Sequence, residues 1–242
     1  MKLIVCKDYE EASQEAAKIF EAQINAKPDS VLCLATGSTP LGLYRELARA
    51  NQAGGVDFSD VKTVNLDEYW GLEPTHPQSY RYFMDTNFFN HINIKKENTH
   101  VPGGTGIAGH ECAKYDDLIE KLGGIDLALL GSGLNGHIGF NEPAETLCAR
   151  THVTDLTEST IEANSRFFEK KEDVPTKAVT MGMGNILCAR KIVIIITGEE
   201  KRPIVKAMID KEFSVTTQIP ATFLKLHPDV TLICDRAAFQ KG

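Results

Sequence analysis

Residues 191–198 read KIVIIITG, with five successive apolar positions from Ile192 to Ile196. A strand with one face in water alternates apolar and polar residues, whereas an unbroken apolar run of strand length belongs where both faces are covered. The run therefore points to a mostly parallel sheet with helices on each side. KLIV, SVLCLAT, VKTVNLDEY, IDLALLG and DVTLICD are further runs of strand-like length and composition. Between them the period changes: Ala12, Ala16, Ile19 and Phe20 fall at helical spacing, and Leu43, Leu47 and Ala50 repeat it. This βαβα alternation predicts an α/β fold with a doubly wound, mostly parallel sheet, carried by one domain over residues 1–242.

Composition narrows the setting. Apolar residues make up 42% and charged residues 24% of the chain, ordinary values for a soluble globular protein. No run approaches the roughly 20 apolar residues of a membrane span. After MKLIV the chain turns polar at once, which argues against a signal peptide and for a cytoplasmic protein. Cys6, Cys33, Cys112, Cys148, Cys188 and Cys234 are scattered singly, with no zinc-type spacing, and are expected to be reduced and mostly buried. A net charge of −7 disfavours nucleic acid as a partner, so any anion must be held by a local site. The Gly-rich VPGGTGIAG and the polar stretch from 145 to 175 are expected as long loops, the second as a mobile lid.

In doubly wound sheets ligands sit beyond the carboxyl ends of the strands, and three such ends carry suggestive residues. The first is ATGSTPLGLYREL, where Thr36, Gly37, Ser38 and Thr39 lead into a helix with Pro40 at its first position. Unpaired amides and the helix dipole favour an anion there, and the hydroxyls add donors. No Lys-Ser/Thr follows the glycine, so a nucleoside triphosphate is not implied. An ordinary βα turn with a hydroxyl cap remains the alternative.

The second is NLDEYW, which places Asp67 and Glu68 beside Tyr69 and Trp70. A carboxylate partly desolvated by aromatic neighbours can have a raised pKa and abstract a proton from carbon. Taken alone, such a residue more often caps nearby amides.

The third is GSGLNGHIGFNEPAE, residues 131–145. Gly131, Gly133 and Gly136 match G-x-G-x-x-G, but no helical period follows and Pro143 intervenes, so the dinucleotide reading is set aside. Asp155 stands near the spacing of a ribose ligand, yet no convincing strand leads to it. The glycines instead allow close backbone approach to a substrate. His137 has Asn135 two residues before it and Glu142 five after, a spacing that a turning loop can fold into a base with its orienter. A loop histidine satisfied by local carbonyls is the competing reading.

With ATGSTP, NLDEY, GLNGHIGFNEP, ANSRFF (163–168), TGEEK (197–201) and LKLHPDVTLICD (224–235) all in order, the chain resembles the glucosamine-6-phosphate deaminase (isomerase) family over nearly its whole length. The resemblance implies a modified Rossmann-like fold and conversion of glucosamine 6-phosphate and water into fructose 6-phosphate and ammonia, with neither metal nor organic cofactor. It assigns the phosphate to Thr36–Thr39 with Arg166 and Lys201, ring opening to His137 supported by Asn135 and Glu142, and proton transfer from C2 to C1 to Asp67. Gly131, Gly133 and Gly136 are expected to offer backbone to the substrate.

Two departures matter. Many family members carry Asp where this chain has Asn135, and an amide orients a histidine without stabilising its cation. Allosterically activated relatives carry basic residues where this chain has His152 and Thr154, and they extend further at the C-terminus. The expectation is therefore a monomer or small homo-oligomer, no hexamer built on that extension, and no activation by N-acetylglucosamine 6-phosphate. Competing functions are a 6-phosphogluconolactonase, in which His137 activates water and Asp67 has no proton to remove, and a phosphosugar sensor, which needs a DNA-binding module.

Overall fold

The computed structural model describes all residues except Arg166, Phe167, Glu169, Lys171, Glu172, Lys241 and Gly242, and the side chains of Ser159, Ala163 and Asn164. Its strands are β1 (Lys2–Cys6), β2 (Val31–Leu34), β3 (Lys62–Asn65), β4 (Asp67–Tyr69), β5 (Thr99–His100), β6 (Leu127–Leu130), β7 (His152–Asp155), β8 (Lys177–Thr180), β9 (Lys191–Ile196) and β10 (Val230–Asp235). The α-helices are α1 (Tyr9–Ala26), α2 (Leu41–Gln52), α3 (Tyr80–Asn87), α4 (Ala108–Lys121), α5 (Glu158–Ser165), α6 (Met183–Leu187), α7 (Arg202–Ile209) and α8 (Arg236–Phe239).

Seven strands form one sheet in the order β1-β10-β9-β6-β2-β3-β5, every neighbouring pair parallel. Ile192 to Ile196 of β9 lie near its centre and are all buried, as their unbroken apolar run requires. Helices cover the sheet with the stripes read from their spacing. Ala12, Ala16 and Phe20 of α1 are buried, as are Leu43 and Leu47 of α2, while Ile19 and Ala50 are partly buried against the same core. Asp8 caps α1 by accepting from the Glu11 amide at 2.9 Å. Among the described residues no helix is long and apolar enough to cross a membrane. All six cysteines are free; Cys148 and Cys188 are exposed and the other four buried.

Three expectations need correction. VKTVNLDEY is two strands, not one: Leu66 donates from its amide to Leu34 on β2, and its carbonyl accepts from Met181 beyond β8. The chain thus passes there from the large sheet into a second one, β4-β8-β7, which is antiparallel. The stretch 145–175 is not one long loop, since it contains β7 of that small sheet and α5. Finally, Pro40 precedes α2, whose first residue is Leu41.

Candidate active site

The strand order reverses between β2 and β6, and the crevice beyond their carboxyl ends is a cavity of about 950 Å³. Thr36, Gly37, Ser38 and Thr39 line it from β2, Gly131, Gly133, Asn135 and His137 from β6, Asp67 from β4, and Lys201 from the turn before α7. Residues up to 165 apart in sequence thus face one space.

The turn after β2 is held open for an anion. Gly37 has φ +89° with nothing near its missing side chain, so glycine is needed there for the backbone path alone. Among the described residues, the amides of Gly37, Ser38 and Thr39 make no hydrogen bond within the chain. From α1 the Tyr9 hydroxyl shares its proton between the carbonyls of Ser38 (3.0 Å) and Thr39 (3.1 Å) and accepts from the Gly42 amide at 2.7 Å. It braces the turn through two of its carbonyls and leaves those three amides unpaired. Lys201 makes no ion pair among the described residues, and burial pulls its ammonium down despite the neighbouring Glu200 charge. The lysine that the resemblance assigns to the phosphate is thus a half-buried positive charge facing the cavity. Arg166 lies outside the described residues.

Asp67 opens β4 and is only 6% exposed, with Tyr69 and Tyr80 beside it at the cavity wall. Burial, with the Glu68 charge second, pushes its carboxyl up to about 8. Gly139 brings the β6 loop close to it. A Cβ at Gly139 would lie 2.8 Å from Thr180 Oγ1 and 3.2 Å from Asp67 Oδ2, and its φ is +58°.

The β6 loop turns back on itself as its spacing permits. Asn135 Oδ1 accepts from the His137 amide at 3.1 Å, and its Nδ2 donates to Glu142 Oε2 at 2.6 Å. His137 Nδ1 lies 3.0 Å from Glu142 Oε1, although the ring is turned so that the hydrogen bond is not well aligned. Burial pushes the Glu142 carboxyl up, but His137, Asn135 and Thr160 outweigh it and hold the group below its ordinary value. Asn135 therefore orients the carboxylate and touches His137 through its backbone amide. A carboxylate at 135 would have no proton to give Glu142, which makes the amide the better neighbour for this arrangement.

Gly136 departs from expectation. It faces away from the cavity, where a Cβ would meet Ile219 Cγ2 at 2.5 Å, and its carbonyl accepts from Ala221. Gly131 and Gly133 do line the space. Among the described residues no three His, Cys, Asp or Glu side chains converge as metal ligands.

Residues 7–233 match the family model described as glucosamine-6-phosphate isomerases/6-phosphogluconolactonase. The chain belongs to this isomerase/lactonase family. Relatives named glucosamine-6-phosphate deaminase include one from Clostridium perfringens, 57% identical with 98% of each chain covered. Another, from Thermoanaerobacter pseudethanolicus, is 56% identical over 98% of this chain and 94% of its own. A solved structure of a monomeric glucosamine-6-phosphate deaminase superposes with a TM-score of 0.94 at 44% identity, covering 98% of each chain. The 6-phosphogluconolactonase from Trypanosoma cruzi, at 21% identity and TM-score 0.77 over 98% of this chain and 95% of its own, shares the fold.

This isomerase/lactonase family member also has site residues that motif spacing did not mark. Thr160 of α5 donates to Glu142 Oε1 at 3.2 Å and lines the cavity, so the stretch expected as a lid touches the His137–Glu142 pair. Tyr9 braces the phosphate-type turn from the first turn of α1. Neither carries a local signal, because each acts across a long sequence separation.

Proposed function

We propose that the chain is a glucosamine-6-phosphate deaminase, acting as a single catalytic domain in the cytoplasm on a phosphosugar, as a monomer or small homo-oligomer. The observation that carries this reading is the buried Asp67 carboxylate on the same cavity as the His137–Glu142 pair and the open turn at Thr36–Thr39. A hydrolytic lactonase has use for the histidine and the anion turn but none for a second, proton-abstracting carboxylate. The names of the relatives at 56% and 57% identity support the same choice.

The chemistry follows from the groups in place. The substrate phosphate is received by the free amides and hydroxyls of Thr36–Thr39 and by the unpaired Lys201, with Arg166 added on the strength of its motif. His137 moves the proton from the anomeric hydroxyl to the ring oxygen, and Glu142 faces the imidazolium formed on the way. The open-chain aldehyde acidifies the C2 hydrogen. Asp67 takes that proton and returns it to C1, converting the amino aldose into a ketose imine. Water then adds to the imine carbon and ammonia departs, leaving fructose 6-phosphate. Gly131 and Gly133 let the substrate approach the backbone.

The test is direct. Purified protein, without added metal or cofactor, is incubated with glucosamine 6-phosphate, and ammonia and fructose 6-phosphate are followed, with 6-phosphogluconolactone run in parallel. Equimolar products are expected. Lactone hydrolysis without ammonia would overturn the deaminase reading.

A further inference from the structure

Glu68 is fully buried, charged, next to the proposed base, and unused by the reaction above. Alternation along β4 sends its side chain away from the cavity that Asp67 faces. It is 3% exposed there, and its Oε1 accepts from the amides of Tyr69 and Tyr80 at 2.8 Å each, its Oε2 from that of Arg81 at 3.0 Å. Tyr80 and Arg81 are the first residues of α3, so two amides that the helix cannot pair internally end on this carboxylate. Ser79 caps the next, the Tyr82 amide, at 3.0 Å. A cap is thus already present. An isolated buried carboxylate is costly, and a neutral side chain would serve as packing.

What the contacts join is specific. β4 carries Asp67 and Tyr69; α3 carries Tyr80, whose ring lies 4.8 Å from that of Tyr69 and stacks on Phe140 at 6.3 Å. Resting on the reading of Asp67 as the enolising base, we propose that Glu68 is a positioning residue for it, locking the strand that carries the carboxylate to the helix that carries its aromatic wall.

The charge of Glu68 acts on the same group. Among the described residues, the other titratable side chains that bear on Asp67 are Cys33 of β2, Tyr80 of α3 and Tyr115 of α4, all pushed up by burial and therefore neutral. Glu68 is the one that brings negative charge, and it remains the stronger acid of the pair because three amides oppose its own burial.

The experiment compares Glu68→Gln with Glu68→Asp. Gln keeps the length and loses the charge; Asp keeps the charge and falls short of the three amides. For Glu68→Gln, kcat is expected to fall about tenfold with KM nearly unchanged, and the acid limb of kcat/KM against pH to move down by about one unit. For Glu68→Asp, kcat is expected to fall with the limb in place. An unchanged kcat and limb in a folded Gln variant overturns the proposal, and so does a loss of kcat in both variants with the limb fixed, which is the mark of a merely structural cap. Carboxyl NMR of Asp67 in the unmodified protein and the variants reads the same titration without turnover. It therefore keeps the proposal testable should the deaminase assay fail, and the Asp variant does so should Gln not fold: protection of the Tyr80 and Arg81 amides from exchange equal to that of the unmodified protein would then overturn it.

Discussion

Nδ1 of His137 lies 3.0 Å from Oε1 of Glu142, while the other oxygen of that carboxylate is held at 2.6 Å by Nδ2 of Asn135. The carboxylate is thus anchored on one side and offered to the imidazole on the other. Thr160 adds a donor to the oxygen that faces the ring, so among the described residues the anion is fixed by two neutral groups and left with one titratable partner.

Glu142→Gln keeps the shape and removes the counter-charge of the imidazolium that forms during ring opening. The expected result is a fall in kcat of about a hundredfold, the lower end of what a positioned acid–base pair supplies, with KM within about threefold. Steady-state kinetics of ammonia release at saturating substrate measure it. A variant as fast as its parent would remove Glu142 from the proposed ring-opening step.

Gly133 tests the geometry of the same ring by size alone. A Cβ there would come within 2.3 Å of His137 Cε1 and 2.4 Å of Nε2, so Gly133→Ala must push the imidazole aside. Gly133 lines the cavity, and the displacement costs alignment more than packing. The expectation is a loss of kcat on the order of tenfold to a hundredfold with a change in stability of about 1 kcal/mol or less. Thermal unfolding with kinetics on the same sample separates the two. A large drop in Tm with little loss of kcat would show that this glycine serves folding instead.

The large sheet was legible in the sequence because its central strands are covered on both faces, and a run such as Ile192–Ile196 has no other comfortable place. The small antiparallel sheet was not, because β4 follows β3 after the single residue Leu66 and β7 reads as polar. Which sheet a strand joins is decided by partners far along the chain, such as Met181 against Leu66. The same contrast holds in the site. Asn135, His137 and Glu142 are close in sequence, and a turn brings them together. The placement of Asn135 on the carboxylate and of Gly136 against Ile219 was not legible, because side-chain direction within a turn has no periodic signature. Tyr9 and Thr160 acquire meaning only from the fold.

Lys201 is the described cation that faces the cavity turn without a carboxylate of its own. Lys201→Met keeps most of the apolar stem and deletes the charge. One charge-assisted contact to phosphate is worth about 2 kcal/mol, so KM should rise about thirtyfold and inhibition by inorganic phosphate should weaken in step. Burial lowers the pKa of this ammonium, which means that folding disfavours its protonated form, so the variant should be at least as stable as its parent at neutral pH. A fall in Tm together with an unchanged KM would assign the lysine to the scaffold.

Asp67 links activity to stability with a sign that can be worked out. Burial, and next the Glu68 charge, move its carboxyl from the ordinary 3.8 to about 8. Between those values the folded protein keeps a proton that the unfolded chain has released, so folding becomes less favourable as pH rises through the window and the loss levels off above about 8. Asp67→Asn has no such proton to lose. Its Tm is therefore expected to match or exceed the parent's, with the underlying stability gap widening between about pH 4 and about pH 8 by at most about 1.4 kcal/mol per pH unit and holding steady above that. Deamination should fall below about a thousandth of the parent rate, since the base is gone. In the parent, kcat/KM should climb with pH as the same carboxyl ionises, the opposite direction to stability. Unfolding scans and rate profiles over one pH series check both limbs. A gap in Tm that does not change with pH would mean that Asp67 is already ionised in the folded protein, and the rising limb of the rate profile would then belong to another group.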